Sequence, residues 1–583
     1  GVDAARAAAL AEGISADGHY QKPMKPIPSR KLDKKVPLID CFSAPCRSGC
    51  PIEQDIPAYL MKVGEGKYEE ALRIITQRNA LPFITGTICS HRCQDKCMRN
   101  AYDESVYIRA QKLKAAEGGF EALLSKLRPA APAAGRRVAV VGGGPGGMSA
   151  AYFLGRAGVD VTVFERRDAL GGIVRHVIPA FRIPGEAIDN DVRLMEAMGV
   201  KVELNTEVKD VQELFAQGFT HVILATGAWQ KGSAGLEYGE EHNVIEFLEA
   251  AKKAPDTLNL GRHVVVIGGG NTAMDAARAA LRAGAKSSTL VYRRTKKYMP
   301  ADAEELEMAI ADGVEFLELV APVEQKDGKL ICEKMKLGDP DDKGRRKPVP
   351  TGEMVEIPCD TVVSAVGEKV ESEVFTRNGI TVDEKGIPAF KTNLEGVYAG
   401  GDAMRGPATV VEGIADAQYF ANAVIGEAHK FAIPAKAVAT REEAVAKKGV
   451  LCESAKCEGN RCLTCNVVCQ VCADVCPNRA NVLPDGRQQI LHVDRMCNEC
   501  GNCAVFCPYD SAPYREKFTL FLTREGFDES VNNQGFLPLG GKKVLVRLDS
   551  KAFEADLDAK NDLPADIEVF IWTVLTKYAY LMG

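Results

Sequence analysis

The chain has 583 residues, enough for roughly four domains, and its 46% hydrophobic and 26% charged residues are globular proportions that allow a large buried core. A net charge of −6 and a pI near 5.9 exclude the broad basic face of a nucleic-acid binder, so Lys34-Lys35 and Arg345-Arg346-Lys347 read as solvated surface. The longest apolar runs, such as 138–141 and 264–267, have the length of buried strands, so no membrane span is expected. No secretory signal opens the chain, which points to a soluble, cytoplasmic protein, and a first residue other than Met leaves room for an upstream segment.

Residues 1–40 form a polar, proline-dotted lead-in with a short alanine-rich helix expected at 3–12. Cysteines then appear as Cys41-x4-Cys46-x3-Cys50-Pro51 and Cys89-x3-Cys93-x3-Cys97, on either side of two short helices predicted between 55 and 79. Such spacings in a long chain without a secretory signal read as metal ligands and not as a disulfide framework. Six thiolates fall short of the eight that two [4Fe–4S] clusters need, and a structural zinc site is the plainer alternative. A helix over 111–127 closes this helical iron–sulfur domain (41–128), and the Pro/Ala linker 129–135 marks its end.

From residue 136 onward β-branched runs alternate with helical stretches, which predicts α/β architecture with parallel sheets and strands at 137–141, 160–164, 221–225, 263–267, 288–292 and 361–365. The first strand runs straight into Gly142-Gly143-Gly144-Pro145-Gly146-Gly147, and a helix follows at 148–157. In that setting Gly142 serves the tight turn, Gly144 lets the backbone approach a pyrophosphate, with Pro145 part of the same cofactor loop, and Gly147 lets helix and strand pack closely. Glu165, ending the next strand, can accept hydrogen bonds from a ribose. A second loop, Gly268-Gly269-Gly270-Asn271-Thr272-Ala273, repeats the pattern between the strand 263–267 and a helix over 274–283. After its next strand stand Arg293 and Arg294, where an acid would hold a 2′-hydroxyl; two guanidiniums suit a 2′-phosphate, so NADPH is expected over NADH.

An Ala/Lys/Glu-rich linker at 433–448 leads to Cys469, Cys472, Cys476-Pro477 and then Cys497-x2-Cys500-x2-Cys503-x3-Cys507-Pro508, the bacterial ferredoxin run. In such two-cluster folds the fourth cysteine of each run serves the other cluster, which assigns Cys497, Cys500, Cys503 and Cys476 to one. Cys469, Cys472 and Cys507 go to the other, with Cys465, or Cys462 in its place. Cys452, Cys457 and Cys462 stand outside this count, as spare thiols or as a further metal site made with Cys465. Cys332 and Cys359, isolated from both groups, read as core residues. A ferredoxin-like domain is expected at 449–515 and a small α/β segment at 516–583, with strands at 518–522 and 543–548 and a helix at 567–582.

The first loop with Glu165, Gly171-Gly172-Ile173 with Arg175, Ala225-Thr226-Gly227, Arg293-Arg294 with Met299-Pro300-Ala301, Ala365-Val366-Gly367 and Gly400-Gly401-Asp402 together resemble the glutamate synthase small subunit. The same module looks like the N-terminal part of dihydropyrimidine dehydrogenase and the large subunit of ferredoxin-dependent transhydrogenases. With the iron–sulfur tail, nearly the whole chain resembles the family named for selenate reductase iron–sulfur/FAD subunits, although no residue here gives a reason for selenate. The resemblance implies FAD at the first loop, in a domain split over 136–255 and 371–430. It implies NADPH in the inserted domain 256–370, Asp402 against the flavin ribityl chain, and Thr409 to Val411 near the ring. The family has a cysteine where Leu38 stands, and it takes a Glu or Gln near 108–113 as a further cluster ligand; Gln111 and Asp40 are the oxygen-bearing candidates here.

These features together predict an NADPH:acceptor oxidoreductase with FAD and about four [4Fe–4S] clusters. It would pass electrons to or from other redox subunits, with ferredoxin a further partner and bifurcation a use that the transhydrogenase likeness implies. The rival readings are a true glutamate synthase small subunit and a noncatalytic redox scaffold. No acid–base residue is required, because the cofactors hold the reactive chemistry.

Overall fold

The computed structural model has two five-stranded parallel sheets, which in chain order follow an N-terminal helical domain and precede a C-terminal mixed sheet. The structure describes residues 31–39, 41–101, 103–133, 135–341, 346–426, 439–448, 450, 455–485 and 487–582. The helix expected at 3–12, Asp40 and Cys452 lie outside the described residues, as does the side chain of Cys457.

The first sheet has the order Val397–Ala399, His221–Leu224, Arg137–Val141, Asp160–Phe164, Lys201–Glu203, all parallel. Its centre strand Arg137–Val141 is buried beyond its first residue, as a strand covered by helices on both faces must be, which explains its unbroken Val-Ala-Val-Val run. The second sheet runs Glu241–Asn243, Thr361–Ala365, His263–Gly268, Ser287–Tyr292, Glu315–Glu318. The chain crosses between the two where Gln230 and Lys369 exchange backbone hydrogen bonds of 3.0 and 2.8 Å. The inserted domain therefore begins before the expected residue 256: Glu241–Asn243 pairs with Thr361–Ala365, and the helix Val244–Lys253 packs into the second domain's core through Val244, Phe247 and Leu248. An antiparallel sheet of Val320–Lys326, Lys329–Pro340 and Arg346–Pro358 extends the inserted domain and was not anticipated.

In the helical domain, Ile56–Gly64, Tyr68–Ile75 and Ile108–Leu124 pack together on the apolar faces of their amphipathic stretches. Gly119 lets the last of these meet the second closely, since a Cβ there would stand 2.5 Å from the Tyr68 carbonyl oxygen. At the other end the expected separation of a ferredoxin-like domain from a small terminal segment does not hold. Asn481–Val482, Leu491–Val493, Thr519–Leu520, Gly535–Gly540, Lys543–Leu548 and Lys551–Asp556 form one six-stranded sheet in chain order. The helix Ala565–Lys577 covers it through Ile567, Phe570 and Ile571.

Candidate functional site

At the carboxyl ends of the first sheet a cleft of about 1220 Å³ opens over the glycine loop, in the position where open α/β sheets take ligands. Gly142, Gly144, Pro145, Glu165, Gly172, Thr226, Gly227, Gly401, Asp402 and Thr409 all line it. Gly142 has φ +107°, and a Cβ there would meet the Ala225 carbonyl oxygen at 2.4 Å. Gly144 is different: its extended backbone ends the loop as N-cap of the helix Pro145–Arg156, and the nearest atom to a Cβ is Gly172 Cα at 3.8 Å. The space above Gly144, faced by a helix N-terminus, is a cradle suited to a pyrophosphate. Glu165 is buried; its Oε2 accepts from the Gly143 N–H at 2.7 Å and its Oε1 from the Arg167 N–H at 2.8 Å. The carboxylate thus holds the loop's shape while facing the cleft.

Two candidates stand back from the cleft. Gly147 packs against the loop, where a Cβ would lie 1.9 Å from the Gly142 carbonyl oxygen. Arg175 turns to Asp189 at 2.5 Å and donates from Nε to the Leu170 carbonyl. Trp229, which sequence reasoning passed over, lines the cleft with the Arg167 guanidinium 4.5 Å from its ring centroid. Burial pushes the Asp402 carboxyl up to about 7, the Ala408 N–H opposes this at 3.1 Å, and the charges of Glu412, Asp416 and Glu368 add to the rise.

The second loop has the same local construction. Gly268 would collide with the Ala365 carbonyl oxygen at 2.3 Å if it bore a Cβ, whereas Gly270, N-cap of the helix Asn271–Arg282, has open space around it. Thr272 lies in the first turn of that helix, and Gly367 has φ +103° at the end of the neighbouring strand. The Asn271 side chain is already engaged, donating to Asp302 Oδ2 at 3.1 Å and accepting from the Asp302 N–H at 2.9 Å, so it fixes the turn after Met299-Pro300-Ala301 against the loop. Arg293 is exposed beyond the strand Ser287–Tyr292, and Arg294 Nε is enclosed without a hydrogen-bond partner.

The thiols sort into groups that the spacing did not reveal. Cys50, Cys89 and Cys93 line a cavity of about 450 Å³ together with Gln54, Lys112 and Val411. Burial and then Cys50 and Cys89 push the Cys93 thiol up, and the Lys112 ammonium opposes them. Gln54, not Gln111, is the amide in this cavity. Cys46 and Cys97 line a second cavity of about 340 Å³, and the other thiols there are Cys462 and Cys465. Cys465, expected with Cys469, is near both Cys469 and this N-terminal pair, while Cys41, expected with the N-terminal thiols, packs with Cys472 and Cys469, near Cys507. Cys476, Cys497 and Cys503 form the last group, with Cys500 exposed on the same loop. Backbone N–H groups point at several of these sulfurs, Ala480 to Cys476 at 3.2 Å and Glu499 to Cys497 at 3.3 Å, a donor arrangement that suits thiolate ligands. Cys332 and Cys359 are buried in the inserted domain's core, where burial pushes both thiols up to about 12. No helix among the described residues is long and apolar enough to cross a membrane.

Comparison with known proteins agrees with this geometry. Residues 136–417 match the pyridine nucleotide-disulphide oxidoreductase family, and residues 37–118 match dihydropyrimidine dehydrogenase domain II, 4Fe-4S cluster. The chain is 41% identical to "Putative oxidoreductase YgfK" of Escherichia coli K12, over 100% of this chain and 59% of that protein. It is 38% identical to the NADP(+)-dependent formate dehydrogenase subunit beta of Moorella thermoacetica, over 64% of this chain and 58% of that one. It thus spans less than two thirds of the length of these relatives. The small chain of the NADPH glutamate synthase of Escherichia coli K12 is 32% identical over 66% of this chain and 89% of its own length. The chain belongs to the glutamate synthase small-chain family, FAD-dependent NAD(P)H oxidoreductases that carry an iron–sulfur domain.

Proposed function

We propose that the chain is an NADPH:acceptor oxidoreductase and electron-transfer subunit, exchanging electrons between NADPH, FAD and [4Fe–4S] clusters and redox partner subunits in the cytoplasm. The observation that carries this reading is the helix Val410–Ile425: Val410 and Gly413 line the dinucleotide cleft, while Val411, between them, lines the Cys50/Cys89/Cys93 cavity. One helical turn thus separates the two sites, short enough for electrons to pass without a mobile carrier. Thr409 fixes that turn through a capping box, its Oγ1 accepting from the Glu412 N–H while Glu412 Oε2 accepts from the Thr409 N–H at 3.0 Å.

FAD, when bound, supplies the exchange between hydride and single-electron chemistry. The chain's part is orientation and exclusion of water. Gly144 and the helix behind it receive the pyrophosphate, Glu165 the ribose, and Asp402 the ribityl chain. Gly268, Gly270 and Thr272 receive the NADPH pyrophosphate, and Arg293 and Arg294 its 2′-phosphate. Arg109 joins the helical domain to the inserted one through Glu304 at 3.0 Å. The subunit names of relatives, formate dehydrogenase subunit beta and NADPH-Fe(3+) oxidoreductase subunit beta, favour a multi-subunit setting. Ferredoxin is a second candidate acceptor, and with cluster sets at both ends the same chain can serve a bifurcating complex.

The test is anaerobic purification with flavin, iron and sulfide counts, followed by addition of NADPH or NADH. NADPH bleaches the flavin band faster than NADH on this account; a flavin that neither nucleotide bleaches would instead indicate a redox scaffold.

A further inference from the structure

We propose that Cys46, Cys97, Cys462 and Cys465 hold a [4Fe–4S] cluster at the seam between the N-terminal helical domain and the C-terminal region. The four thiols come from segments more than three hundred and fifty residues apart and line one cavity with Pro45, Leu60 and Val106. The C-terminal pair is brought there by a docked segment, the short helix Ala455–Arg461. Gly459 lies so close to Ile56–Gly64 that a Cβ on it would stand 2.7 Å from the Leu60 carbonyl oxygen, and one on Gly64 would stand 2.3 Å from Asn460 Oδ1.

Buried charge fixes the docking. Arg461, 4% exposed, donates to both Glu458 carboxylate oxygens at 3.0 Å, to Asp103 at 3.3 Å and to the Glu104 carbonyl at 2.8 Å. Glu458 in turn accepts from the Tyr107 N–H at 2.7 Å. Arg99, 2% exposed, bridges Asp103 and the Val450 carbonyl, the latter at 2.8 Å. Arg461 engages its partners through both terminal nitrogens while its Nε stays enclosed without one, and breaking a buried ion pair of this kind is costly, so Cys462 and Cys465 are held opposite Cys46 and Cys97.

The chemistry of the site selects its occupant. Four cysteine thiolates are the ligand set of a [4Fe–4S] cluster, and Arg99 lines the same cavity. A single zinc ion, at about 2.3 Å from each sulfur, would draw the four thiols to within about 4 Å of one another. Here the four thiols line one cavity, and iron, sulfide and zinc counts distinguish a cluster from a single ion. Each thiol gives up its proton on ligation.

The site accounts for a departure in the sequence. Leu38, where the family carries a cysteine, packs on the C-terminal sheet's core, and Cys41 joins Cys469 and Cys472. Cys462 and Cys465 take the places those two positions would have filled. The two cysteine regions therefore exchange ligands in both directions, and the C-terminal region is an integral part of the electron path.

The inference rests on the reading of these thiols as iron–sulfur ligands, and its test separates the two. In the anaerobically purified full chain, the double variant Cys462→Ala/Cys465→Ala is expected to lose about four iron and four sulfide per flavin, with the flavin and the other clusters retained. Unchanged iron and sulfide, or loss of one zinc in their place, would overturn the proposal. Should the double variant fail to retain flavin, Cys465→Ser decides, because it keeps a donor atom: one cluster's reduced-state EPR signal changes if Cys465 is a ligand. A spectrum superimposable on that of the unaltered protein would overturn it. Failure of NADPH to bleach the flavin would contradict the proposed activity and leave this iron count untouched.

Discussion

Two alanine substitutions three residues apart in the first glycine loop are expected to fail in opposite ways. At Gly147 the added methyl would lie 1.9 Å from the Gly142 carbonyl oxygen, and neither partner is a flexible side chain. The helix Pro145–Arg156 must then move away from the strand Arg137–Val141 by about 1 Å, and overpacking of this kind costs about 1–3 kcal/mol. Gly147→Ala should therefore lower the melting temperature of the deflavinated protein by several degrees. At Gly144 the backbone angles, φ −75° and ψ −178°, suit alanine, and the nearest atom to its Cβ is 3.8 Å away. Gly144→Ala should leave the flavin-free protein as stable as before and place a methyl where the pyrophosphate approaches. FAD affinity should fall about ten- to a hundredfold, which is about 1.4–2.8 kcal/mol. Differential scanning fluorimetry of the deflavinated proteins and fluorescence titration with FAD give both quantities. If Gly144→Ala binds FAD as tightly as the unaltered chain, the cleft above Gly144 does not hold the pyrophosphate.

Replacing Arg293 and Arg294 by alanine should raise KM for NADPH at least tenfold and leave KM for NADH within about twofold, because a lost 2′-phosphate contact removes a charge-assisted bond of about 1.5–3 kcal/mol; steady-state reduction of a dye acceptor measures the ratio. Asp402, with its folded-state pKa raised to about 7 by burial, binds its proton more tightly in the folded chain than in the unfolded one. Stability of the deflavinated protein should thus be greatest below about pH 4 as far as this group is concerned and decline until about pH 7. Asp402→Asn should remove that part of the slope in urea titrations run across the interval. Arg461→Met should cost about 3–5 kcal/mol by leaving Glu458 buried without its cation, and Glu458→Met in addition should recover most of it; chemical denaturation of the three proteins decides.

The dinucleotide loops were legible from sequence because their requirements are local. Gly142 and Gly268 are needed by the carbonyl oxygens of Ala225 and Ala365 on the adjacent strands, and both loops lie between a buried β-branched strand and a helix. What escaped was decided at longer range. The antiparallel sheet hides because its edge strand Arg346–Pro358 carries Pro348, Pro350 and Pro358 and is exposed along most of its length, so neither alternation nor propensity marks it. Glu241–Asn243 is too short and too polar to read as a strand, which displaced the domain boundary. The thiol groupings depend on where the Ala455–Arg461 helix docks, and Arg461 and Glu458 each look like ordinary surface charges until they are seen buried together, with Asp103 at the rim. A cysteine signature names the kind of ligand, and tertiary docking chooses its companions.

The central claim is that electrons from NADPH cross from the flavin cleft to the thiol cavities through the turn around Val411. Freeze-quench EPR of the anaerobic holoprotein after mixing with NADPH tests it most directly. The account predicts that flavin bleaching is followed, with no added mediator, by the signal of reduced [4Fe–4S] clusters. Complete bleaching of the flavin with every cluster left oxidised, while dithionite still reduces them, would contradict it.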